Sequence, residues 1–544
     1  MDSAFSPERL LEADRGFGSF HSPILVARHL SRVRPMFEAA VKLALERVHE
    51  DDVWLVNALE TAERINGREL LEWMRMPAGM PEGTPAFLID ERERLLASLR
   101  YLDAGDGIHD QDDADLLAAR LEDLAAIEQA IWSPSTASGR GSSIPFPQPS
   151  LPNKQDPPSG EAVGDDSFPG GRTLLAQLPP DVCLLEYFAV EGRIHVFVAE
   201  TGRVVSVFGL EIGVKEVRNA IVTAQVGIRM RQNAARYRVL EDDLDIPMPI
   251  MDLASLPYLY DRLVAPIAHQ LKDKHRLWVV MDACMADLPY EALFFLTKQH
   301  SVDTPHFLVE DVAITRLPSL AVLHRIRRIA AAPWKPYVTN VPEQAGGPTG
   351  SHLEAQEVGI RLRTPVESGD LAALLANLSV SSWLHVSSHS DVSAHLTHLQ
   401  GLALANGYLH PANLPRLRLS MAVLSACGTC EGDCVPQAPW AGLCGAFLAR
   451  GTRTVVASGW PVAVEATRRL MEAFYEALRA GASADMALQS AQLHVMRQYS
   501  AHPFFWAAFR LIGDGACSLP PESDTPTNRV HADSPTTAGG KEHP

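Results

Sequence analysis

The sequence lacks the features that mark membrane, secreted and nucleic-acid-binding proteins. No uninterrupted apolar run approaches the roughly 20 residues that a membrane helix needs. The seven cysteines are few and irregularly spaced in 544 residues, which disfavours a disulfide framework and favours free thiols in a reducing cytoplasm. Basic residues are fewer than acidic residues, and the resulting net charge of −18 disfavours general affinity for nucleic acid or anionic membranes. The first residues, Met1–Glu8, have neither a basic start nor an apolar core, so no secretory signal is expected.

The composition is that of a folded protein with more than one unit. Hydrophobic residues make up 46% of the chain and charged residues 21%, as in soluble globular proteins. A chain of 544 residues exceeds what one hydrophobic core usually supports. Two or more folded units are therefore expected.

Four regions follow from the patterning along the chain. Residues 1–132 carry apolar side chains at helical spacing, such as Phe37, Val41 and Leu45 behind Pro35, a residue suited to a first helical turn. Residues 133–172 are rich in Ser, Pro and Gly, cannot bury much apolar surface and predict a disordered linker. Residues 173–518 predict a folded α/β region, and residues 519–544 predict a disordered tail.

The α/β region predicts a mostly parallel sheet. A hairpin is expected over Val182–Val198, with its turn at Glu191–Gly192, and a buried strand over Leu277–Met281. Further strands are expected near Tyr337, Trp383, Ala422 and Thr454. Strands that alternate with helical patterns of ordinary length indicate a parallel sheet covered by helices on both faces.

Two of these strands stop at residues able to do chemistry. The run from Trp383 leads to His389, and the run from Ala422 leads to Cys427. If the two strands are parallel neighbours, both side chains lie at the carboxyl edge of the sheet, where open α/β folds build their sites. Such a pair suits a cysteine nucleophile with a histidine base. From spacing alone, however, Cys427 is equally compatible with a buried small hydrophobe.

Two histidines compete for the role of base. His385 lies inside the apolar run and is interpreted as a core histidine. His389 lies just past the run, between two serines, where the chain should turn into solvent. Because a base must be accessible, His389 is the predicted one.

Four cysteines cluster along the sequence, and no metal or other cofactor is expected from them. They are Cys427, Cys430, Cys434 and Cys444. The cluster contains no pair of C-x2-C motifs, and Cys444 falls in an apolar helical pattern. A reversible disulfide between Cys427 and Cys430, which would silence the nucleophile, is a separate hypothesis.

The stretch from Thr173 to Gly513 resembles a CHAT domain, a caspase-like, separase-related cysteine peptidase family often fused to TPR helices. The resemblance rests on segments in the family's order: Leu184–Phe188, Tyr260–Ile267, Leu288–Leu293, Leu317–Leu320, the histidine strand, Leu424–Thr429, Gly442–Gly451, Ser458–Val462 and His502–Phe509. In the helical region, Ala58–Arg64 and Gly67–Leu71 resemble the last helices of a TPR array.

The resemblance implies a caspase-like three-layer α/β/α sandwich with a His389–Cys427 dyad. It also implies an oxyanion hole made by the backbone N–H groups of Cys427 and Ser390. The family usually has glycine after the catalytic histidine, whereas this chain has Ser390. Serine keeps the N–H group but restricts φ, and the loss of one oxyanion donor lowers rates by roughly 10²–10³.

Two functional hypotheses follow. In the first, the chain is a regulated cytoplasmic cysteine endopeptidase that cleaves a specific protein partner, with Asp282, Asp391 and Trp460 in a substrate pocket. Bacterial defence or programmed cell death is the setting expected by family analogy, with a sensor or co-encoded protein as a regulatory partner. In the second, the chain is a catalytically weak CHAT scaffold that recruits partners through its helical arm. Neither hypothesis involves nucleic acid or a membrane directly.

Overall fold

The computed structural model describes residues 23–49, 51–76, 84–104, 111–132, 168–236, 253–296, 305–391, 400–430, 440 and 442–520. Nearly all of the expected linker and tail, residues 133–167 and 521–544, lie outside the described residues, as does Cys434. The disorder expected for those two segments stays a prediction.

The fold is organised around one 11-stranded sheet. Its strand order is β3-β2-β1-β4-β7-β16-β15-β14-β10-β8-β9. The strands of this sheet are β1 (Val182–Val190), β2 (Arg193–Glu200), β3 (Arg203–Gly213), β4 (Arg276–Val280), β7 (Ala313–Leu317), β8 (Pro336–Asn340), β9 (Val366–Ser368), β10 (Trp383–Ser387), β14 (Met421–Ser425), β15 (Thr454–Ser458) and β16 (Phe509–Gly513).

Five shorter strands form two small sheets outside it. Strands β5 (Phe294–Phe295) and β6 (His306–Phe307) pair with each other. Strands β11 (His389–Asp391), β12 (Gly401–Leu404) and β13 (Gly407–Leu409) form a three-stranded antiparallel sheet.

The large sheet consists of two halves that run in opposite directions. Strands β1, β4, β7 and β16 are parallel to one another, and so are β8, β9, β10, β14 and β15. The halves meet where β15 and β16 pair antiparallel. The prediction of a mostly parallel sheet is confirmed, and so is the hairpin β1–β2. Its turn residues Glu191 and Gly192 have φ of 48° and 79°, the left-handed conformation that a tight hairpin turn requires.

Helices cover both faces of the sheet. One face carries α7 (Val214–Arg236), α8 (Ser255–Leu263), α12 (Ser351–Leu362), α15 (Val464–Arg479) and α16 (Ala484–Gln498). The other face carries α1 (Pro23–Glu46), α2 (Val53–Glu63), α3 (Arg68–Arg75), α6 (Gly171–Leu175), α11 (Leu320–Arg327), α13 (Leu371–Leu378) and α14 (Leu443–Arg450). The remaining helices are α4 (Ala86–Ala104), α5 (Gln111–Trp132), α9 (Ala268–Leu271), α10 (Leu308–Asp311) and α17 (Pro503–Trp506).

Because successive strand residues point to opposite faces, both layers draw on the same strands. Leu277 and Val279 of β4 contribute to one core, whereas Trp278 and Val280 contribute to the other. Both faces of β10 and β14 are buried along their whole length. This is why the strands read as continuous apolar runs rather than as alternating patterns. The expected three-layer α/β/α sandwich, preceded by a helical region, is the observed architecture.

The N-terminal helices form part of the same core as the sheet. Val26, Leu30 and Phe37 of α1 are buried in one cluster with Leu184 of β1 and Leu384 of β10. Helices α4 and α5 form a separate small cluster of their own. Helices α1, α2 and α3 are together called the arm. The arm is therefore packed onto the sheet rather than extended away from it.

Pro35 does not lie in a first helical turn. Helix α1 begins twelve residues earlier, at Pro23, and contains Pro35 in its interior. An interior proline removes a backbone hydrogen bond and disfavours the helix. The apolar face that continues upstream through Val26, Leu30 and Val33 is buried against the sheet, and this burial outweighs the local penalty.

Polar contacts also hold the arm against the rest of the fold. The Glu63 carboxylate accepts hydrogen bonds from the backbone N–H groups of Leu320 and Ala321, at 2.8 and 2.9 Å, at the start of α11. The Arg34 guanidinium forms an ion pair with Asp282, just past the end of β4.

Among the helices that the structure describes, none combines the length and the apolar composition that a membrane-spanning helix needs.

Candidate active site

The strand register aligns the two residues predicted to do chemistry. Strands β10 and β14 are parallel neighbours, and Ser387 pairs with Ser425 at their carboxyl ends. His389 and Cys427 each lie two residues beyond this pair. Both therefore leave the sheet at the same edge and at the same level.

The histidine side of the site turns out of the sheet immediately after Ser388. The Ser388 backbone N–H still donates to the Ser425 carbonyl, at 3.1 Å, which extends the ladder by one residue. The chain then enters β11, where His389 pairs with Ala403 of β12. The side chain of His389 is exposed, as a general base requires.

The cysteine side is held by a network within its own turn. The Thr429 hydroxyl donates to the Leu424 carbonyl at 3.2 Å and accepts from the Ser458 N–H at 3.1 Å. Gly428 has φ of +61°, a conformation that glycine adopts without strain. Its N–H donates to the Trp460 carbonyl at 3.4 Å. Cys427 itself is half-buried and forms no disulfide bond.

Two side chains from the histidine side hold the backbone around the cysteine. The Ser390 hydroxyl donates to the carbonyl of Cys427. The Gln400 amide donates to the carbonyl of Gly428 at 2.5 Å. Because Ser390 lies in β11 and Gln400 directly precedes β12, these two hydrogen bonds fix the small sheet and the cysteine turn relative to each other.

His385 is a fully buried histidine with its polar atoms satisfied. Its Nδ1 lies 3.1 Å from the Tyr475 hydroxyl, and its Nε2 lies 3.0 Å from a Glu354 oxygen and 3.1 Å from the Ser387 hydroxyl. Its exposed fraction is 0%. This placement agrees with its interpretation as a core histidine and leaves His389 as the histidine that faces the site edge.

Of the three residues predicted for a substrate pocket, two have buried side chains and the side chain of the third lies outside the described residues. Asp282 is buried, paired with Arg34 of the arm, and accepts from the Ala189 N–H at 2.9 Å. Trp460 is buried in the core, and its indole N–H donates to the Phe504 carbonyl at 3.1 Å. Asp391 ends β11, but its side chain lies outside the described residues.

A cavity that the sequence did not indicate opens beside the cysteine turn. It contains about 420 Å³ of empty space, part of it open to solvent. The residues that line it include Asp287, Arg316, Gln400, Cys430, Trp440 and Cys444. The available signal was a charged residue, Arg316, inside the buried strand β7; nothing in the sequence singled out Gln400.

The cysteines next to this cavity differ in acidity. A hydrogen bond with Cys444 lowers the pKa of the Cys430 thiol, and the nearby Arg510 and Arg316 lower it further against the effect of burial. Burial, together with the neighbouring Cys430, raises the pKa of Cys444 well above its usual range. All six cysteines in the described part of the chain are free thiols. Within that same part, no group of three or more His, Cys, Asp or Glu side chains could hold a metal ion.

Residues 253–514 match the CHAT domain family. Among curated proteins, the chain is 44% identical over 69 residues to tetratricopeptide repeat protein 28 of Homo sapiens and 38% identical over 108 residues to that of Mus musculus. These matches cover 12% and 19% of the chain but 3% and 4% of the relatives. The chain therefore matches a small part of each relative's length.

Two solved structures have a distantly similar fold. The Saccharomyces cerevisiae separase in its complex with securin is 11% identical, with a TM-score of 0.43, over 90% of this chain and 37% of that one. The Arg-specific cysteine proteinase gingipain R is 11% identical, with a TM-score of 0.32, over 56% of this chain and 75% of that one. At these values neither similarity assigns a role to any residue.

Proposed function

Residues 253–514 are a CHAT domain, and from this premise we propose that the chain is a cysteine endopeptidase with His389 and Cys427 as its catalytic dyad. The observation that carries the proposal is the register of β10 and β14. It brings a histidine and a cysteine to one sheet edge, each two residues beyond a paired serine. The exposed histidine and the half-buried thiol suit the roles of base and nucleophile.

In the proposed reaction, His389 takes the proton from the Cys427 thiol as the sulfur attacks the carbonyl carbon of a peptide bond. The carbonyl oxygen becomes an oxyanion, which the N–H groups of Cys427 and Ser390 stabilise. The tetrahedral intermediate then collapses, the C–N bond breaks, and the leaving amine takes the proton from the His389 imidazolium.

A thioester between Cys427 and the N-terminal part of the substrate remains. His389 removes a proton from water, and the resulting hydroxide adds to the thioester carbonyl. When the second tetrahedral intermediate collapses, the C–S bond breaks and the sulfur regains a proton from His389. The products are a carboxylic acid and the free enzyme.

The proposal includes a protein substrate, a cytoplasmic location and regulation by a sensor or co-encoded protein. The free thiols support the location. The arm, which shares the core of the sheet, supports the regulation, because a partner bound to the arm could act on the sheet. A role in bacterial defence or programmed cell death is included by family analogy alone.

The alternative is a catalytically weak scaffold that recruits partners through the arm. The observation that favours it is Ser390, which stands where the family usually has glycine and whose hydroxyl binds the Cys427 carbonyl. A side chain at this position limits how far the backbone can adjust around an oxyanion. The two functions differ in whether Cys427 reacts as an activated nucleophile.

The test is covalent labelling with a mixed set of peptidyl acyloxymethyl ketones, which react with activated cysteine nucleophiles. The wild-type protein is expected to be labelled, whereas Cys427→Ala and His389→Ala are not. Cys517→Ala is the control, because this thiol also forms no disulfide and lies outside the cavity beside the cysteine turn, so its labelling should equal that of wild type. Equal labelling of wild type and Cys427→Ala, or no labelling of either, would refute the peptidase and leave the scaffold.

A further inference from the structure

We propose that the cavity beside the cysteine turn binds a substrate side chain that carries a primary amide, so that the chain cleaves after glutamine or asparagine. This inference rests on the proposed peptidase function and names its substrate class. It starts from the position of the cavity. Thr429 and Cys430, which line the cavity, follow Cys427 and Gly428 directly in the chain.

The cavity therefore lies where the residue before the scissile bond would place its side chain. A peptide carbonyl within reach of the Cys427 sulfur holds that residue's Cα only a few ångströms away. Gln400 connects the two places, since it lines the cavity and donates to the Gly428 carbonyl.

Two buried polar atoms of the lining residues have no partner in the described part of the chain. The first is a donor, Nη1 of Arg316. The Nε and Nη2 atoms of the same guanidinium are engaged with Glu291, at 3.4 and 2.7 Å, and Nη2 also donates to the Leu288 carbonyl. The second is an acceptor, Oε1 of Gln400. Both residues are 1% exposed.

The orientation of the Gln400 amide is fixed by its partner. Its Nε2 donates to the Gly428 carbonyl, and a flipped amide would place two oxygen atoms against each other. Oε1 is therefore the atom left without a partner. A buried donor and a buried acceptor that are both unpaired are costly, and a ligand that supplies both partners removes the cost.

A primary amide is the side-chain group that supplies one acceptor and two donors at once. Its oxygen would accept from Nη1 of Arg316, and its nitrogen would donate to Oε1 of Gln400. A carboxylate would accept from Arg316 but would be repelled by the Gln400 oxygen. A lysine ammonium would donate to the Gln400 oxygen but would be repelled by the Arg316 guanidinium.

The charges around the cavity also favour a neutral ligand. Arg316 is paired with Glu291 at 2.7 Å, and Arg510 lies 3.6 Å from Asp287. The positive charges of the two arginines balance the negative charges of the two carboxylates, and all four residues are almost fully buried. A charged substrate side chain would leave a net buried charge, whereas an amide would not.

The test uses fluorogenic peptides with a fixed residue before the cleavage site and mixed residues at the preceding positions. Glutamine or asparagine is expected to give kcat/KM about tenfold or more above leucine, glutamate and lysine, as two added hydrogen bonds imply. In Gln400→Leu the preference for glutamine over leucine is expected to fall about fivefold or more. A merely structural defect would lower both rates and leave their ratio unchanged. A preference for an acidic, basic or apolar residue in the wild type would overturn the inference.

A binding measurement keeps the inference testable if no peptide is cleaved. The Cys427→Ala variant cannot cleave, and calorimetric titration with the same peptides reports the pocket alone. Glutamine peptides are expected to bind about tenfold more tightly than leucine peptides. Equal affinity, or binding of neither peptide, would contradict the pocket. Selective binding of glutamine peptides without Cys427-dependent cleavage would instead refute the peptidase function and support the amide-binding pocket.

Discussion

The carboxyl groups of Glu63 and Glu186 are neighbours between helix α2 and strand β1, and both residues are fully buried. Burial raises the pKa of Glu63 to about 7, despite the Leu320 and Ala321 N–H groups that bind its carboxylate. Burial and the neighbouring Glu63 raise the pKa of Glu186 well above its usual range. Both Glu63 oxygens accept from backbone N–H groups, and one Glu186 oxygen accepts from the Asn66 amide, so the other Glu186 oxygen is the site at which we expect the shared proton.

This pair predicts that the protein loses stability as pH rises. Both folded-state pKa values lie above the unfolded value of about 4.3, so the folded state binds more protons above pH 4–5. The free energy of unfolding is therefore expected to fall as pH rises from about 5 through 7 and beyond. Urea unfolding between pH 5 and 8.5 measures it. A stability that rises over this window would contradict the prediction.

Two isosteric variants of this pair are expected to behave differently. Glu186→Gln keeps a donor towards Glu63 and an acceptor for the Asn66 amide, 2.9 Å away, so it should flatten the pH dependence with little loss of stability. Glu63→Gln places an amide where two backbone N–H groups donate, so it should destabilise the protein by about 1–3 kcal/mol. Equal effects from the two variants would mean that the proton is not held by Glu186.

The two histidines are expected to separate activity from stability. His389→Ala should lower kcat/KM about 10²–10⁴-fold, as expected for loss of a general base, with the melting temperature unchanged because the side chain is exposed. His385→Ala should lower the melting temperature, because it removes one hydrogen-bond partner from each of the buried residues Glu354 and Tyr475 and leaves a cavity in the core. Circular dichroism melts and peptide hydrolysis on both variants check this, and the reverse pattern would exchange the two roles.

The Ser390 hydroxyl is expected to position the nucleophile. In Ser390→Ala the Cys427 carbonyl loses its donor, and the second-order rate of probe labelling should fall about 3–10-fold. Ser390→Thr keeps the hydroxyl and serves as the control. Ser390→Gly restores the family residue but also loses the hydroxyl, so it should not exceed wild type. A Ser390→Gly protein that is labelled faster than wild type would show that the side chain hinders the oxyanion rather than helps the cysteine.

The arm is expected to influence substrate binding through Trp440. The backbone N–H of Trp440 donates to the Glu69 carboxyl group of α3, and Trp440 lines the cavity. Glu69→Ala removes this contact and should raise KM for the preferred peptide about fivefold, with the rate of Cys427 alkylation by iodoacetamide unchanged. Glu69→Gln keeps an acceptor and should resemble wild type. A fall in alkylation rate equal to the change in kcat/KM would place the effect on the nucleophile instead.

Local patterns predicted the parts of the fold that local physics determines. The apolar runs ending at His389 and Cys427 located two neighbouring strands, because burial on both faces leaves a continuous apolar signature. The prediction of His389 rather than His385 as the base rests on the position at which such a run ends. The prediction of a first helical turn at Pro35 was wrong, because burial of the helix upstream of Pro35 outweighs the local preference of proline for a first turn.

Long-range contacts account for what the sequence did not reveal. Asp282 follows a strand, as a pocket residue would, but its partner Arg34 lies 248 residues away in the chain. The pairing of Gln400 with the Gly428 carbonyl, and of Arg316 with Glu291, likewise depends on which segments the fold brings together. The direction of the two sheet halves depends on the antiparallel pairing of β15 with β16, which no strand pattern encodes.

The shared core of the arm and the sheet bears on how the polypeptide behaves when it is cut. The arm helices bury Val26, Leu30 and Phe37 among sheet residues, while the covalent connection runs through residues 133–167. A single nick between 133 and 167 would thus divide the molecule into two chains held together without a covalent bond, by the shared hydrophobic core and by buried polar contacts such as Arg34–Asp282. Such fragments would co-elute as a heterodimer, and the two halves could be expressed from separate genes and reassembled.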